Sequence, residues 1–382
     1  MNLINNLKLI ELIKKKKLDK FQKEIISEIN KAVTELIKEK IKIYNNKNRI
    51  VKNDIDKEHY PTLKILTKTQ INKLPSWVQK NIENSYIVGK SKNIIQTSDG
   101  KKYHLKNTLN DLSGGEWTFF LNSVINTRYL TNGTESYAHN IRKIHPSPKP
   151  PQLMEQIIKF FTKENDLILD YFMGVGGTLL GASLSNRIAV GIDLEKEYIK
   201  TYKEANKELK LKEQITIKGD SIKILKNPIK LKKILKKKLF SLILIDPPYG
   251  DMMTRKKTGE ILKKGKDTSP TPFTNLSNDL GNMNWANFRL IFKNSIINSI
   301  KLLKNKGHLV VFIKDLQPKG ENLNLLHADL IKDISSIKNI KYLGTKIWAD
   351  QSVKLYPYGY PYSYVSNQIH QYILIFKKEN LK

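Results

Sequence analysis

The sequence predicts an α/β fold in which a mostly parallel sheet is covered by helices on both faces. Apolar runs without polar alternation, typical of strands buried on both faces, recur between residues 167 and 245 and are separated by helix-like segments. An aspartate closely follows each run. The runs and their aspartates are Leu167–Leu169 with Asp170, Ile188–Ile192 with Asp193, Ile215–Ile217 with Asp220, and Leu242–Ile245 with Asp246. Because the carboxyl ends of parallel strands meet at one edge of a sheet, the four carboxylates are predicted to gather there.

The last of these strands ends in a stiff turn. Pro247 and Pro248 cannot donate to a sheet ladder, and each restricts the residue before it, so Asp246 and Tyr249 are held in place. Asp246 and the Pro247 carbonyl, which has no ladder partner, can both accept hydrogen bonds there, and Tyr249 offers a flat aromatic ring. A rigid Asp-Pro turn packed by a tyrosine fits these four residues equally well.

The tetrapeptide resembles the catalytic motif of the amino-methyltransferases, which methylate exocyclic amines of nucleobases with S-adenosylmethionine. The resemblance implies that Asp246, Pro247, Pro248 and Tyr249 are the catalytic residues. An exocyclic amine is a weak nucleophile because it is conjugated with its ring, and hydrogen bonds to Asp246 and the Pro247 carbonyl would draw its lone pair out of conjugation while Tyr249 stacks on the base. It also implies a Rossmann-like class I methyltransferase domain with a seven-stranded sheet and S-adenosylmethionine as cofactor. No metal is expected, because the chain has no cysteine and its seven histidines lack the spacing of metal ligands.

A glycine-rich turn follows the strand at Leu167–Leu169. Residues 166–177 read DLILDYFMGVGG, and the glycines let the backbone approach a ligand closely. The run lacks the GxGxxG spacing of a dinucleotide site. It resembles the methyltransferase cofactor loop, with Tyr171 in place of proline, Val175 in place of serine and an additional Gly177. The resemblance assigns cofactor binding to Asp170, Phe172, Gly174, Gly176, Gly177 and Thr178.

A proline-rich segment, His145-Pro146-Ser147-Pro148-Lys149-Pro150, stands just before a helix predicted at Gln152–Lys163. Its prolines favour an extended path and a helix start at Pro151. The amino-methyltransferases have a similar His-Pro-x-x-Lys-Pro stretch that lines the cofactor pocket. The resemblance therefore implies cofactor contacts for His145, Ser147 and Lys149.

Two strand-end carboxylates complete the predicted cofactor site. Asp193 can accept hydrogen bonds from both ribose hydroxyls, a bidentate role that suits a carboxylate. It can equally cap the helix that follows, and both roles can hold together. Asp220 is placed to accept a hydrogen bond from the adenine amine of the cofactor.

The composition favours a nucleic-acid partner. The 382 residues include 67 Lys and Arg against 36 Asp and Glu, a formal net charge of +31, and 9% are aromatic. Such a surplus with aromatic residues favours nucleic acid over a membrane surface. Lys, Asn and Ile are abundant throughout, as AT-rich coding would give, so part of the charge reflects composition alone. No apolar run is long enough to span a bilayer and no signal peptide is recognisable, so a cytoplasmic location without membrane contact is expected.

Three regions are predicted along the chain. Residues 1–50 form a basic helical region, which is either an arm along phosphates or a solvated or dimer-forming hairpin. Residues 51–140 form a linker and a candidate target-recognition region, with a hairpin turning at Ser98-Asp99-Gly100. Residues 141–382 form the methyltransferase domain. Its polar stretch 251–284 is interpreted as a loop that orders on nucleic acid, and its segment Tyr356–Tyr364 as a pocket surface for an extruded base.

The resemblance spans His145 to Phe376 and implies a DNA methyltransferase that acts on N6 of a flipped adenine, as in restriction-modification. N4 of cytosine is the alternative target, because the Asp form of the motif is only the commoner one for adenine. A tRNA guanine-amine methyltransferase is a further alternative, since DPPYG also resembles the motif of those enzymes. In another class, the chain is a non-catalytic DNA-binding protein that relies on its basic helices. The expected partner is double-stranded DNA, and a homodimer is compatible with the amino-terminal helices.

Overall fold

The computed structural model describes residues 60–249, 272–315 and 325–380, together with five isolated helical positions between Ser27 and Glu35. The basic helical region predicted at 1–50 lies outside the described residues except at those positions. Residues 251–271 of the predicted nucleic-acid loop also lie outside them. None of the helices in the described ranges combines the length and the apolar character needed to cross a bilayer.

The first described elements form a small antiparallel sheet. They are strands β1 Tyr60–Pro61, β2 Tyr86–Val88, β3 Ile94–Gln96 and β4 Lys102–His104, helices α1 Thr62–Ile65, α2 Lys68–Ile71 and α3 Ser76–Gln79, and a 3-10 turn at Ile82–Asn84. The strands pair in sequence order around a core that includes Val78, Ile87 and Ile95. The hairpin predicted between residues 86 and 105 is thus a three-stranded meander, and its second turn lies at the predicted Ser98-Asp99-Gly100.

The rest of the described chain builds one large sheet. Its strands are β5 Val124–Thr127, β6 Leu167–Asp170, β7 Ile188–Asp193, β8 Ile215–Lys218, β9 Phe240–Ile245, β10 Leu303–Ile313, β11 Ile340–Asp350 and β12 His370–Lys378. In space they run β8-β7-β6-β9-β10-β12-β11-β5. All neighbours are parallel except β12, which is antiparallel to both β10 and β11. The predicted fold class is confirmed, and the sheet has eight strands because β5, from the predicted linker region, pairs with β11.

Helices cover both faces of this sheet. They are α4 Gly114–Phe120, α5 His139–Arg142, α6 Pro151–Phe161, α7 Gly177–Leu184, α8 Lys196–Glu208, α9 Ser221–Lys226, α10 Ile229–Leu235, α11 Trp285–Ser299 and α12 Leu326–Ser335, with 3-10 turns at Thr134–Ser136, Leu280–Asn282 and Ile300–Leu302. Successive strand residues point to opposite faces. Leu242 and Leu244 therefore share a core with α6, α7 and α8, while Ile243 and Ile245 share one with α10, α11 and α12.

The position of β9 brings the predicted motifs together. All six of its residues are buried, and it lies between β6 and β10 at the centre of the sheet. Leu169 of β6 is level with Ile243 of β9, and Asp170 is level with Gly191 of β7. Since these strands are parallel, the loops that follow them open at the same edge.

Candidate active site

The glycine loop, residues 171–176, follows β6 and is tied to the end of β7. The Met173 N–H donates to the Ile192 carbonyl at 3.1 Å, and the Gly174 N–H donates to Asp193 Oδ2 at 2.8 Å. Gly176 has a φ of +75° and ends the loop where α7 begins. A Cβ at Gly176 would overlap the buried ring of Tyr202. The loop therefore requires glycine at this position, both because the backbone has a positive φ and because the Tyr202 ring leaves no space for a Cβ.

Gly176→Ala is expected to lower the free energy of unfolding by about 3 kcal/mol or more, because a positive φ and an overlap with a packed ring both oppose the methyl group. Urea unfolding measures the loss. Gly89→Ala is the matched control, because Gly89 has a φ of +80° with open space where its Cβ would lie. Equal losses in the two variants would show that the Tyr202 ring does not constrain the loop.

The proline segment from His145 to Pro150 lies against the glycine loop. The Gly177 position would place a Cβ only 2.7 Å from the Lys149 carbonyl oxygen, so the two segments touch through their backbones. Arg142, which is 1% exposed, donates from Nε to the Val175 carbonyl at 3.2 Å and from Nη2 to the Lys149 carbonyl. A buried guanidinium therefore fastens the proline segment to the glycine loop.

His145 forms part of an aromatic wall. Its ring stacks on Phe273 with centroids 5.1 Å apart and meets the Tyr198 ring edge-on at 4.8 Å. Its Nδ1 accepts a hydrogen bond from the Ser147 N–H at 3.1 Å. Burial, with help from nearby Lys149 and Arg142, lowers the pKa of His145 to about 3. The ring is consequently neutral at physiological pH and offers an apolar face.

Lys149 forms an ion pair with the carboxylate of Asp246. Its Nζ donates to Asp246 Oδ2, and the two side chains are 8% and 22% exposed. Burial raises the pKa of the Asp246 carboxyl, and the Lys149 ammonium opposes that rise. The other oxygen, Oδ1, receives no hydrogen bond from the part of the chain that the structure describes. The ion pair thus orients the carboxylate while one oxygen remains available.

Tyr249 follows the two prolines and is 5% exposed. Burial raises the pKa of its hydroxyl well above the usual 10, although the backbone N–H of Lys314 hydrogen-bonds to it. The phenol is therefore neutral and fixed at the wall beside the end of β10.

Two of the strand-end carboxylates, Asp170 and Asp193, have no positively charged partner among the described residues. Burial raises the pKa of Asp170 to about 7 and that of Asp193 to about 6. Asp170 accepts from the Phe172 N–H at 3.1 Å, and Asp193 Oδ1 accepts from the Glu195 N–H at 2.8 Å. Within the described ranges, neither forms a salt bridge. These carboxylates are poised to receive positive charge or hydrogen-bond donors from a ligand.

Asp220 caps helix α9. Its Oδ1 accepts from the N–H groups of Ile222 and Lys223 at 3.0 and 3.3 Å, and its Oδ2 accepts from Asn278 Nδ2 at 2.8 Å. The two bonds to Oδ1 are typical of a helix N-cap, and the Asn278 amide occupies Oδ2. Asp220 nevertheless lines the same cavity as Asp193.

A cavity of about 320 Å³ joins these groups at the carboxyl edge of the sheet. The predicted residues that line it are His145, Ser147, Lys149, Phe172, Gly174, Asp193, Asp220, Asp246, Pro247, Pro248 and Tyr249. Asp170, Gly177 and Thr178 line a smaller adjoining cavity together with Asp246. Gly176 lines neither cavity, because its contact is with Tyr202. The glycine loop and the Asp246 turn therefore open into a shared space.

Sequence reasoning missed several residues of this site. Those that line the cavity include Tyr198, Phe273, Asn278, Asp279, Lys314 and Gln371, and Arg142 lies behind it. The sequence could have indicated Tyr198, because it lies in the first turn of α8, five residues after Asp193. The others come from distant segments without a motif. Phe273, Asn278 and Asp279 belong to the polar stretch that was predicted to order on nucleic acid, and in the structure they form a wall of the cavity.

A family model for N6/N4 methyltransferases, described as DNA methylase, matches residues 4–204, more than half of the chain. The chain belongs to the DNA methylase family. The match ends before Asp246 and does not include the tetrapeptide at the end of β9. The tetrapeptide is therefore evidence independent of the family match. The matched region includes the proline segment, the glycine loop and Asp193.

Individual relatives match this chain over shorter spans. The type II methyltransferase M2.LlaDCHI of Lactococcus lactis subsp. cremoris is 46% identical over 77 residues, which are 20% of this chain and 27% of that protein. A tRNA (guanine(10)-N2)-dimethyltransferase of Methanocaldococcus jannaschii is 28% identical over 156 residues, 39% of this chain and 41% of that protein. The structure of TrmN from Thermus thermophilus shares 14% identity over 65% of this chain and 55% of its own, with a TM-score of 0.40. The chain thus spans less than half the length of either curated relative.

Membership of this family confirms the sequence prediction that the cofactor is S-adenosylmethionine. The cavity suits this molecule, which carries a sulfonium and an ammonium charge beside an adenosine. Asp170 and Asp193 are buried carboxylates without salt bridges in the described ranges, and a cationic ligand would stabilise their charged forms. Phe172, Tyr198 and Phe273 line the cavity with aromatic rings, which are suited to packing against an adenine ring.

Proposed function

We propose that this DNA methylase transfers a methyl group from S-adenosylmethionine to N6 of adenine in DNA. The observation that carries the proposal is the shared cavity, in which the glycine loop and the Asp246 turn face one space. A base inside duplex DNA cannot reach such a site, so the target adenine is flipped out of its stack. The net charge of +31 supports binding to the phosphate backbone.

Asp246 and Pro247 act on the amine in this proposal. S-adenosylmethionine supplies an electrophilic methyl group on a sulfonium sulfur. Oδ1 of Asp246 and the carbonyl of Pro247 accept hydrogen bonds from the two amine protons, which draws the nitrogen lone pair toward the methyl carbon. As the C–N bond forms, the C–S electron pair leaves with sulfur, and an amine proton passes toward Asp246. Tyr249 packs against the base.

The cofactor site in this proposal is formed or supported by residues of the proline segment, the glycine loop with the start of α7, and two further strand ends. They are His145, Ser147, Lys149, Asp170, Phe172, Gly174, Gly176, Gly177, Thr178, Asp193 and Asp220. Asp170 and Asp193 have the leading electrostatic roles, since both are buried without a salt bridge in the described ranges. Gly176 acts by allowing the loop to close over Tyr202. Lys149 acts mainly on Asp246 and only secondarily at the cofactor, because its Nζ is committed to that carboxylate.

Cofactor affinity is expected to rise as the pH increases from about 5.5 to about 7.5. The pKa of Asp170 is raised to about 7 and that of Asp193 to about 6, so a cationic ligand must displace protons from them below those values. Isothermal titration at several pH values, in buffers of different ionisation enthalpy, measures both the affinity and the protons released. Asp170→Asn should bind more weakly with a flatter pH dependence. A wild-type affinity that does not change with pH would contradict these assignments.

Expression in a host without DNA methylation tests the whole proposal. Sequencing that detects modified bases should find N6-methyladenine at one short recognition sequence. N4-methylcytosine would instead support the alternative base. Unmodified DNA from a folded protein that binds cofactor would contradict both DNA assignments.

A transfer-RNA substrate is the second candidate, because the Methanocaldococcus jannaschii relative is a tRNA (guanine(10)-N2)-dimethyltransferase. Methyl transfer from labelled cofactor to duplex DNA and to tRNA, measured side by side, separates the two. We expect label in duplex DNA only. A protein that binds DNA and cofactor but labels neither substrate would support the non-catalytic alternative.

A further inference from the structure

The loop between β11 and β12 exposes a row of tyrosines. Tyr360, Tyr362 and Tyr364 are 81%, 93% and 92% exposed. Large aromatic side chains usually bury most of their surface, and contiguous exposed rings mark sites of interaction. None of the three lines the main cavity or the cavities adjoining it. The position of these three rings therefore does not support the predicted role of the segment as a pocket surface for an extruded base.

The loop is held in shape by its own backbone and by one side chain. Asn367 accepts from the Tyr356 N–H at 2.9 Å and donates to the Tyr356 carbonyl at 2.7 Å, which closes the two ends of the loop. Inside it, the N–H groups of Tyr362 and Ser363 both donate to the Gly359 carbonyl at 2.7 Å. Gly359 has a φ of +76°, and a Cβ there would overlap the Ser363 carbonyl. The rings are thus displayed by a preorganised turn.

The loop stands at the same sheet edge as the active site. It starts after Asp350, where β11 ends, and it finishes at β12, whose Gln371 lines the main cavity. Asp350, Ser352 and Gln371 also line a cavity of about 240 Å³ on the far side of the proline segment. The loop that carries the tyrosines therefore leaves and rejoins the sheet at the edge where the cavity of Asp246 opens.

We propose that Tyr360, Tyr362 and Tyr364 contact duplex DNA at the flipping site and stack on base faces that the departing base uncovers. This inference rests on the proposed function. Residues 355–369 contain no charged side chain, so the loop is not a phosphate-binding element. Flat, uncharged rings instead match the faces of unstacked bases, and such stacking is tolerant of sequence. Lys and Arg residues elsewhere in the chain are expected to contact the phosphates.

The test uses the full chain and a duplex that contains the recognition sequence mapped above. A triple variant, Tyr360→Ala, Tyr362→Ala and Tyr364→Ala, should bind and methylate this duplex at least about tenfold more weakly, because stacked rings are removed. The triple Tyr→Phe variant is the matched control, since it keeps the rings, and it should remain within about threefold of wild type. A duplex with a mismatched target base is already unpaired, so the alanine variant should lose less activity on it.

Two outcomes would overturn the role of the loop. One is equal affinity of wild type and alanine variant for the matched duplex, measured by fluorescence anisotropy. The other is an equal loss of methylation on matched and mismatched duplexes. Cofactor affinity and the unfolding midpoint should be unchanged in both triple variants, because the rings are exposed. A wild-type protein that binds duplex DNA but methylates none would overturn the proposed function instead, and the anisotropy comparison on a duplex of arbitrary sequence would still decide whether the loop contacts DNA.

Discussion

Asp246→Ala is expected to reduce methyl transfer by about 10²–10⁴-fold, because it removes both the acceptor for the amine and the group toward which its proton passes. Cofactor affinity should stay within about threefold of wild type, since Asp170 and Asp193 are expected to supply the main charges at the cofactor. Single-turnover kinetics on duplex DNA measure the rate, and isothermal titration measures the affinity. The separation of the two effects is the signature of a residue that acts on the acceptor base.

Asp246→Asn provides a second variant that keeps the shape of the side chain and one carbonyl oxygen. It should also be severely slowed, because an amide is a far weaker proton acceptor than a carboxylate. Asp99→Ala is the control, since Asp99 lies on an exposed turn of the small sheet. Loss of cofactor binding in Asp246→Ala, with little further effect on transfer once cofactor is saturating, would mean that Asp246 has a structural role.

The sequence predicts this site well where the signal is local. All six residues of β9 are buried, and an apolar run that ends in Asp246-Pro247-Pro248 has few other interpretations than a central strand with a rigid turn. The same holds for β6 and β7, whose apolar runs end at Asp170 and Asp193. Since parallel strands share one edge, the meeting of these carboxylates follows from the chain alone.

The rest of the fold depends on partners that are far away in the sequence. In β11, Lys346 and Trp348 are the buried residues, while its other positions are partly or fully exposed, so its pattern of apolar residues is weak. Strand β5 is similar, and it becomes a strand by pairing with β11. Phe273 lies in a polar stretch, and its contact with His145 spans more than a hundred residues. The spacing of apolar residues along the sequence does not indicate such contacts.

The ion pair of Lys149 with Asp246 is another contact between distant segments that the sequence does not indicate. The resemblance places Lys149 at the cofactor, and 97 residues separate it from the carboxylate that it contacts. Only the close approach of the proline segment to the glycine loop, fastened by the buried Arg142, brings its Nζ to the end of β9. The structure therefore changes the expected consequence of removing this lysine.

Lys149→Met is expected to lower the free energy of unfolding by about 3–5 kcal/mol near neutral pH, because it leaves Asp246 buried without its positive partner. The loss should shrink as the pH falls. Removing the ammonium lets burial raise the pKa of Asp246 further, and an acid whose pKa is raised in the folded state is most stable when protonated. Urea unfolding at about pH 8 and about pH 5.5 measures this difference.

The same substitution should move the acid limb of the rate profile to higher pH, because transfer needs Asp246 as a carboxylate and its pKa has risen. A double variant, Lys149→Met with Asp246→Asn, separates stability from chemistry. Removing both charges should restore most of the stability lost in Lys149→Met, since a neutral pair leaves no buried ion unpaired, yet transfer should remain as slow as in Asp246→Asn. If the double variant is less stable than either single variant, the ion pair does not hold Asp246. If Lys149→Met leaves the acid limb in place, the ammonium does not set the charge of the carboxylate that receives the amine.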